Sequence, residues 1–381
     1  MRGIIALVTY LVVCVSSMPS MAPFHRVKEA VPDSYIIVLH ANADTLKVSA
    51  ELKFLVQTAD LDFGVDRMYK TVLNGFAVSM PPAAVDMVRR HPSVKYMEQD
   101  SVVHVMDETW GLDRIDQRGL PLDHTFLPEG NGAGAHVYVI DTGILSTHEE
   151  FEERAHFAYD ATNNDRGSGT DCNGHGTHCA GTIAGKRYGV AKKANVYGVR
   201  VLGCLGSGTN AGVIEGMDWV AQNAQKPAVA SMSLGGGATT TTDDAVDRLT
   251  DKGITVVVAA GNSNEDACLS SPARASSAIT VGASNIKDAR ASFSNYGGCV
   301  DLFAPGRDIT SSWNEDDSSY NTISGTSMAC PHVAGVAALH VSRDPSQTPR
   351  EVTASILSEA SRDQIFDPMG SPNLLLYTRD R

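Results

Sequence analysis

The sequence lacks several features that mark other classes of protein. It has no Cys-x-x-Cys pair, which argues against a structural zinc site, and no Asn-x-Ser/Thr motif, so we expect no N-linked glycan. Basic residues are scarce, because 31 lysines and arginines stand against 44 aspartates and glutamates, giving a net charge of −13. Such an acidic surface repels phosphate backbones, so nucleic acid is not an expected partner. After the N-terminal segment no apolar run is long enough to span a bilayer, and we expect no stable membrane association.

Aromatic residues are also few, at 6%, but the composition is that of a folded enzyme. Hydrophobic residues make up 43% of the 381 residues and charged residues 20%. These fractions exclude a disordered chain and are sufficient to bury a sizeable core. The length suits one large catalytic domain and one small domain.

The N-terminus has the pattern of a secretory signal peptide. Arg2 supplies a positive start, the segment from Ile4 to Val15 is almost wholly apolar, and small residues follow at Ser16 and Ser17. We therefore assign residues 1–17 to a signal peptide, with an approximate end, and expect a secreted, extracellular protein. The alternative is a membrane anchor that is not cleaved, although the apolar run is short for a membrane span.

Cysteine usage agrees with an extracellular location. Removal of the signal peptide with Cys14 would leave six cysteines, which allow many different pairings, so spacing alone does not decide the disulfide connectivity. The six are Cys172, Cys179, Cys204, Cys268, Cys299 and Cys330.

Residues 18–106 have the pattern of a small α+β domain, since strand-like and helical stretches alternate over a short length. The predicted strands are Tyr35–Leu39, Gly75–Val78 and Val94–Val105, and the predicted helices are Ala50–Ala59 and Pro82–His91.

The pattern changes near Trp110, and residues 107–381 form a second predicted domain. Short, almost continuously apolar strands alternate here with helices, as in a parallel sheet that is covered on both faces. The fold class is therefore α/β, with a doubly wound, mainly parallel sheet. The predicted strands are His136–Ile140, Val196–Val201, Ala228–Leu234 and Ile254–Val258, and the predicted helices are Thr177–Ala184, Ala211–Gln222 and Asp243–Asp251.

Three short segments in this domain carry side chains suited to nucleophilic catalysis. Asp141 ends a buried strand and is followed by Thr-Gly, His175 enters a helix between glycines, and Ser327 enters an apolar helix after Gly-Thr. Serine needs a neighbouring base to take its proton, histidine is such a base at neutral pH, and a buried carboxylate fixes the imidazole tautomer. Each segment alone is a common turn or helix cap, but the chain order Asp, His, Ser is the subtilisin order.

With these motifs, the segment from Trp110 to about Tyr377 resembles the subtilase family, and most closely its proteinase K and aqualysin branch. The resemblance lies in Asp141-Thr-Gly, His175-Gly-Thr-His and Gly325-Thr-Ser-Met-Ala. It implies a subtilisin-like fold and a serine endopeptidase that acts on proteins and peptides, with Asp141, His175 and Ser327 as catalytic residues.

The resemblance also implies the oxyanion site and the substrate cleft. Ala259-Ala-Gly-Asn matches the family's oxyanion segment, so Asn262 would donate its side-chain amide to the oxyanion, together with the backbone N–H of Ser327. Two stretches would form the cleft walls, and since they carry no acidic residue, we expect broad specificity with an apolar or aromatic P1 residue. The walls are Ser233, Leu234 and Gly235 on one side and Gly206, Ser207 and Gly208 on the other.

For the cysteines, the resemblance implies the disulfides Cys172–Cys204 and Cys268–Cys299. Cys179 resembles a free thiol near the catalytic histidine. Cys330 departs from the family pattern, and either a buried free thiol or a pairing with Cys179 remains open.

Calcium is the cofactor that the resemblance implies. Asp301 matches a calcium ligand of this branch, where its partners are backbone carbonyls near Ser276 and Ala278. Oxygen donors suit calcium.

Residues 18–106 resemble the inhibitor-type propeptide of the same family, with a ferredoxin-like fold. The resemblance implies a folding template and intramolecular inhibitor, released by self-cleavage between Val105 and Glu108. We expect the released enzyme to be a monomer. Two alternatives are a subtilase that cleaves itself once and then acts as a binding or regulatory protein, and a convertase of narrow specificity. The intact Asn262 disfavours the first, and the absence of acidic cleft walls disfavours the second.

Overall fold

The structure is a computed structural model that describes residues 21–27, 30–101, 109–162 and 170–378. The chain divides into two units, Met1–Val105 and Met106–Arg381. The predicted signal peptide and the predicted self-cleavage region lie outside the described residues.

The N-terminal unit is built on a five-stranded sheet in the order β1-β5-β2-β4-β3. Its core contains Ile37, Leu52, Phe76 and Met97, which are fully buried. The strands are β1 Phe24–His25, β2 Ala30–Leu39, β3 Gly64–Tyr69, β4 Gly75–Ser79 and β5 Val94–Ser101, and the helices are α1 Thr45–Gln57 and α2 Val85–Arg89.

Several elements of this unit differ from the sequence prediction: β1 was not predicted, and β2 begins at Ala30 and not at Tyr35. Helix α1 begins five residues before the predicted start at Ala50, because the Asp44 carboxylate caps it by accepting hydrogen bonds from the backbone N–H groups of Leu46 and Lys47. Strand β3 was not predicted, since most of its side chains are exposed or half-buried and give no apolar pattern.

The C-terminal unit contains a nine-stranded sheet in the order β17-β18-β14-β13-β11-β9-β6-β8-β7. All neighbouring strands are parallel except β17 and β18, which confirms the mainly parallel sheet. Two further pairs, β10 with β12 and β15 with β16, are antiparallel. The strands are β6 His136–Asp141, β7 Ala155–Asp160, β8 Asn195–Arg200, β9 Ala228–Met232, β10 Gly236–Gly237, β11 Ile254–Ala259, β12 Ser270–Ser271, β13 Ile279–Ser284, β14 Leu302–Pro305, β15 Ile309–Ser312, β16 Tyr320–Ile323, β17 Ser361–Arg362 and β18 Leu374–Leu375.

Helices cover both faces of this sheet, so the doubly wound prediction is confirmed. Successive residues of a strand point to opposite faces, and along β6 Val137 and Val139 join the core beneath α4, α7 and α8, whereas Tyr138 and Ile140 join the core beneath α5 and α6. The helices are α3 Trp110–Ile115, α4 His175–Ala184, α5 Asn210–Asn223, α6 Thr240–Asp251, α7 Thr326–Arg343 and α8 Pro349–Glu359. None of the helices in the described part of the chain is long and apolar enough to cross a membrane.

Candidate active site

Three element ends of the C-terminal unit bring the predicted catalytic segments together. Asp141 is the last residue of β6, His175 is the first residue of α4, and Ser327 is the second residue of α7. The central strands are parallel, so their carboxyl ends meet at one edge of the sheet, which is where α/β proteins build their sites. Asp141, His175, Asn262 and Ser327 lie at this edge.

His175 and Asp141 form a direct hydrogen bond of 2.7 Å between Nδ1 and Oδ1. The carboxylate only accepts, so Nδ1 carries the proton and the imidazole presents Nε2 to other groups. Asp141 is fully buried and its Oδ1 also accepts from the backbone N–H of Thr142 at 2.7 Å. The pair therefore holds one tautomer of a base at the edge of the sheet.

Two opposing effects set the pKa of His175. Burial, the largest single effect, disfavours the imidazolium, but the groups beside the ring, led by the Asp141 carboxylate at hydrogen-bond distance, together raise the pKa well above its ordinary value. Cys179 lies close by, with Sγ 4.0 Å from Nδ1, but burial raises the pKa of its thiol, so it stays neutral and the carboxylate is the group that stabilises the imidazolium.

The Ser327 hydroxyl donates to the carbonyl oxygen of Ser233 at 3.1 Å and makes no hydrogen bond to His175. Catalytic hydrogen bonds are often long or absent without substrate and form in the reacting complex.

Asn262 is oriented by Thr326, the residue before Ser327. Its Oδ1 accepts from the backbone N–H of Thr326 at 2.8 Å and from the Thr326 hydroxyl at 2.9 Å. Its amide nitrogen has no hydrogen-bond partner in the described chain, and the side chain lines the cleft. Sequence reasoning missed Thr326, although a hydroxyl residue directly before the candidate nucleophile was a signal.

A cleft of about 710 Å³ runs along this edge and contains both predicted walls. Its lining includes Ser233–Gly235 from one wall and Gly206–Gly208 from the other, with His175 and Ser327 between them. Glu265 also lines the cleft, and sequence reasoning did not include this acidic residue.

The structure contains the disulfides Cys172–Cys204 and Cys268–Cys299. Cys179 and Cys330 are both free and buried, so they are not paired with each other. Burial raises the pKa of the Cys330 thiol to about 12, which keeps it neutral.

Three aspartates near α3 form a carboxylate cluster that sequence reasoning did not single out. Asp113, Asp116 and Asp123 each place an oxygen within 4.8 Å of the others, and the first two are buried. A set of several carboxylate oxygens is the donor chemistry that calcium prefers, and a cation would offset the mutual repulsion of the three charges. The cluster therefore fits calcium.

The predicted calcium ligand Asp301 stands apart from that cluster. Its Oδ2 accepts from the backbone N–H of Thr280 at 2.8 Å, and burial raises the pKa of this carboxyl group. Ser276 and Ala278 lie in the turn that leads into β13, the strand that contains Thr280. The carboxylate of Asp301 is an oxygen donor of the type that calcium binds.

Two family models match the chain. A model described as the subtilase family matches residues 132–373, which is more than half of the chain, and a model described as peptidase inhibitor I9 matches residues 34–106.

Several curated proteins are similar over most of their length. An extracellular serine proteinase of Thermus sp. (strain Rt41A) is 50% identical over 371 residues, covering 92% of this chain and 90% of that protein. An alkaline serine exoprotease A of Vibrio alginolyticus is 47% identical, covering 92% of this chain and 68% of that protein. A cuticle-degrading serine protease of Arthrobotrys oligospora is 44% identical, covering 91% of each chain.

Among solved structures, a cold adapted subtilisin-like serine proteinase has the same fold. The match has a TM-score of 0.70 and 55% sequence identity, and it covers 72% of this chain and 100% of that chain.

Proposed function

We propose that Asp141, His175, Ser327 and Asn262 carry out peptide hydrolysis in this chain, which belongs to the subtilase family and is a subtilisin-type serine endopeptidase made as a zymogen. The observation that carries the proposal is the 2.7 Å hydrogen bond between His175 Nδ1 and Asp141 Oδ1, at the sheet edge where Ser327 lies in the first turn of α7. A serine-directed acylating reagent should abolish hydrolysis and label Ser327. Full activity after complete acylation would contradict the assignment.

The chemistry proceeds in two steps. His175 Nε2 takes the proton of the Ser327 hydroxyl as Oγ attacks the scissile carbonyl carbon, and then gives that proton to the leaving amine as the C–N bond breaks. A water molecule attacks the acyl-enzyme with His175 again as base, which releases the acid and restores Ser327. The buried Asp141 carboxylate stabilises the imidazolium in both steps.

The oxyanion of each tetrahedral intermediate would receive two donors. One is the amide nitrogen of Asn262. The backbone N–H and the hydroxyl of Thr326 both donate to the Oδ1 of this side chain, so the amide nitrogen is the end that faces away from Thr326. The other is the backbone N–H of Ser327 in the first turn of α7, where N–H groups have no intrahelical partner. Donors fixed in advance at this position lower the barrier because they need no reorganisation.

The substrate would lie as an extended strand between the two cleft walls, held mainly by main-chain hydrogen bonds. Gly235 and Gly261 leave room for an apolar or aromatic P1 side chain, which supports broad specificity. Among the described residues that line this cleft, Glu265 is the one carboxylate, and it could attract a basic residue of the substrate. A peptide library tests this directly: apolar and aromatic P1 residues should be preferred, and a strong requirement for dibasic peptides would refute the proposal.

The segment before the peptidase domain would act as inhibitor and export signal. Residues 1–17 would be the signal peptide, 18–106 the propeptide that serves as intramolecular inhibitor, and 107–381 the mature monomer. The propeptide family match and the extracellular relatives support this assignment. N-terminal sequencing of the secreted protein should begin between Val105 and Glu108. A secreted protein that begins within the propeptide would contradict it.

Calcium would stabilise the mature domain at two places. Asp113, Asp116 and Asp123 would hold one ion, and Asp301 with the carbonyl oxygens of Ser276 and Ala278 would hold another. Both sets are hard oxygen donors, and neither touches the residues assigned to catalysis.

A further inference from the structure

Asp171 lies four residues before His175 and is the centre of a buried hydrogen-bond network. The residue is 3% exposed, and no lysine, arginine or histidine in the described part of the chain forms an ion pair with it. Its two oxygens accept five hydrogen bonds, all from backbone N–H groups or hydroxyls. Burying a carboxylate is costly unless it is fully hydrogen-bonded, so this arrangement holds the surrounding loop in one conformation.

The network ties the strand that ends at Asp141 to the helix that begins at His175. Asp171 Oδ1 accepts from the Thr142 hydroxyl at 2.8 Å, and Thr142 directly follows Asp141. The Thr142 Oγ1 in turn accepts from the backbone N–H of Gly176 at 2.9 Å. Thr142, which follows Asp141, and the first turn of α4, which contains His175, are therefore connected through the Asp171 carboxylate.

Asp171 also caps the helix that carries His175. The N-cap residue of α4 is Gly174, which has no side chain to accept the free N–H groups of the first turn. Asp171 Oδ2 accepts from the backbone N–H of Thr177 at 2.9 Å and from its hydroxyl at 2.7 Å, and Oδ1 accepts from the backbone N–H of Gly174 at 2.9 Å. A negative charge is favourable at a helix N-terminus, so this cap fixes where the helix starts.

We infer that Asp171 is a positioning residue for the reaction: through Thr142 and the first turn of α4 it sets the distance between His175 and Asp141, and it acts on kcat without touching the substrate. The inference rests on the catalytic roles proposed above for His175 and Asp141. Asp171 does not line the cleft, and its side chain accepts no hydrogen bond from either cleft wall, Ser233–Gly235 or Gly206–Gly208. A misplacement of about 1 Å at a catalytic group costs on the order of 100-fold in rate.

The test compares two variants by steady-state kinetics on a chromogenic peptide, with active-site titration to count competent molecules. Asp171→Asn keeps the side-chain shape but places an NH₂ group where an oxygen accepted. We expect kcat per active site to fall roughly 10-fold to 100-fold with KM within about two-fold. Thr142→Val removes the hydroxyl that donates to Asp171 and accepts from the Gly176 backbone N–H, so it should lower kcat in the same way. The fold-loss of kcat in the double variant should be smaller than the product of the two single fold-losses.

Asp288→Asn is the matched control. Asp288 is also a buried carboxylate, paired with Arg114 at 2.7 Å, but it lies outside the catalytic network. It should lower the melting temperature and leave kcat per active site unchanged. The inference is overturned if Asp171→Asn and Thr142→Val behave like this control, with a lower melting temperature and wild-type kcat. A wild-type protein with no peptidase activity would instead overturn the proposed function, so the two failures are distinguishable.

Discussion

Replacing Asn262 with leucine removes one amide donor from the cleft and keeps a side chain of similar size. In the structure the Asn262 Oδ1 is held by the backbone N–H and hydroxyl of Thr326, at 2.8 and 2.9 Å, which leaves the amide nitrogen as the end available to a ligand. Leucine cannot accept these bonds or donate to an oxyanion.

The expected loss follows from the part of the reaction in which this donor acts. A charged oxyanion exists only in the transition state and the intermediate, so kcat should fall and KM should change little. The loss of one such donor costs about 3–4 kcal/mol of transition-state stabilisation, which is roughly 10²–10³ in kcat. The Thr326 donors left unpaired would lower stability by a further ~1–3 kcal/mol, which affects the melting temperature and not kcat per active site.

The assay is steady-state hydrolysis of a chromogenic peptide with an apolar P1 residue, normalised by active-site titration. Asn264→Leu is the control, because Asn264 lies two residues further along the same loop, bonds to Arg290 and does not line the cleft. It should retain wild-type kcat per active site. If Asn262→Leu also keeps kcat within about three-fold of wild type, Asn262 is not an oxyanion donor and the reasoning is refuted.

Three further predictions concern stability. Asp288→Asn leaves the fully buried Arg114 without its charge partner, so thermal unfolding should show a loss of about 3–5 kcal/mol, and an unchanged melting temperature would contradict it. Burial lowers the pKa of His332 to about 4 and that of His178 to about 3, so the unfolded chain binds more protons than the folded one below pH 6.5. The free energy of unfolding of the inhibitor-inactivated enzyme should therefore have its full value above pH 6.5 and fall as the pH is lowered toward 4. His332 should account for about 3 kcal/mol of this loss, and His332→Asn should remove that part of the pH dependence. EDTA should lower the melting temperature of the mature enzyme and added calcium should restore it, whereas an unchanged value would exclude both calcium sites.

Much of the fold and the candidate site could be predicted from sequence, because each signal is local. Strand β6 contains the continuous apolar run Val137–Ile140, and the Asp, His, Ser order is read directly along the chain. Element ends were less accurate. Helix α4 begins at His175 and not at the predicted Thr177, because Asp171 and Thr142 supply cap acceptors that the residues at the helix start do not provide.

The residues that sequence reasoning missed act through contacts between distant segments. Asp171 bonds to Thr142, which lies 29 positions earlier, and Thr326 bonds to Asn262, which lies 64 positions earlier. The carboxylate cluster of Asp113, Asp116 and Asp123 lies shortly after Trp110, where the sequence pattern indicates only the start of the second domain. In each case the sequence shows the type of the residue, but only the fold shows which other residue it contacts.

The most direct test of the central claim, that Ser327 is the nucleophile, is to follow casein hydrolysis and covalent labelling together. The mature protein is titrated with a serine-directed acylating reagent, and the adduct is located by mass spectrometry of its peptides. We predict that activity falls in proportion to a single adduct on Ser327 and reaches zero at one adduct per molecule. Complete labelling of Ser327 with casein hydrolysis intact, or complete loss of hydrolysis with Ser327 unlabelled, would contradict the account.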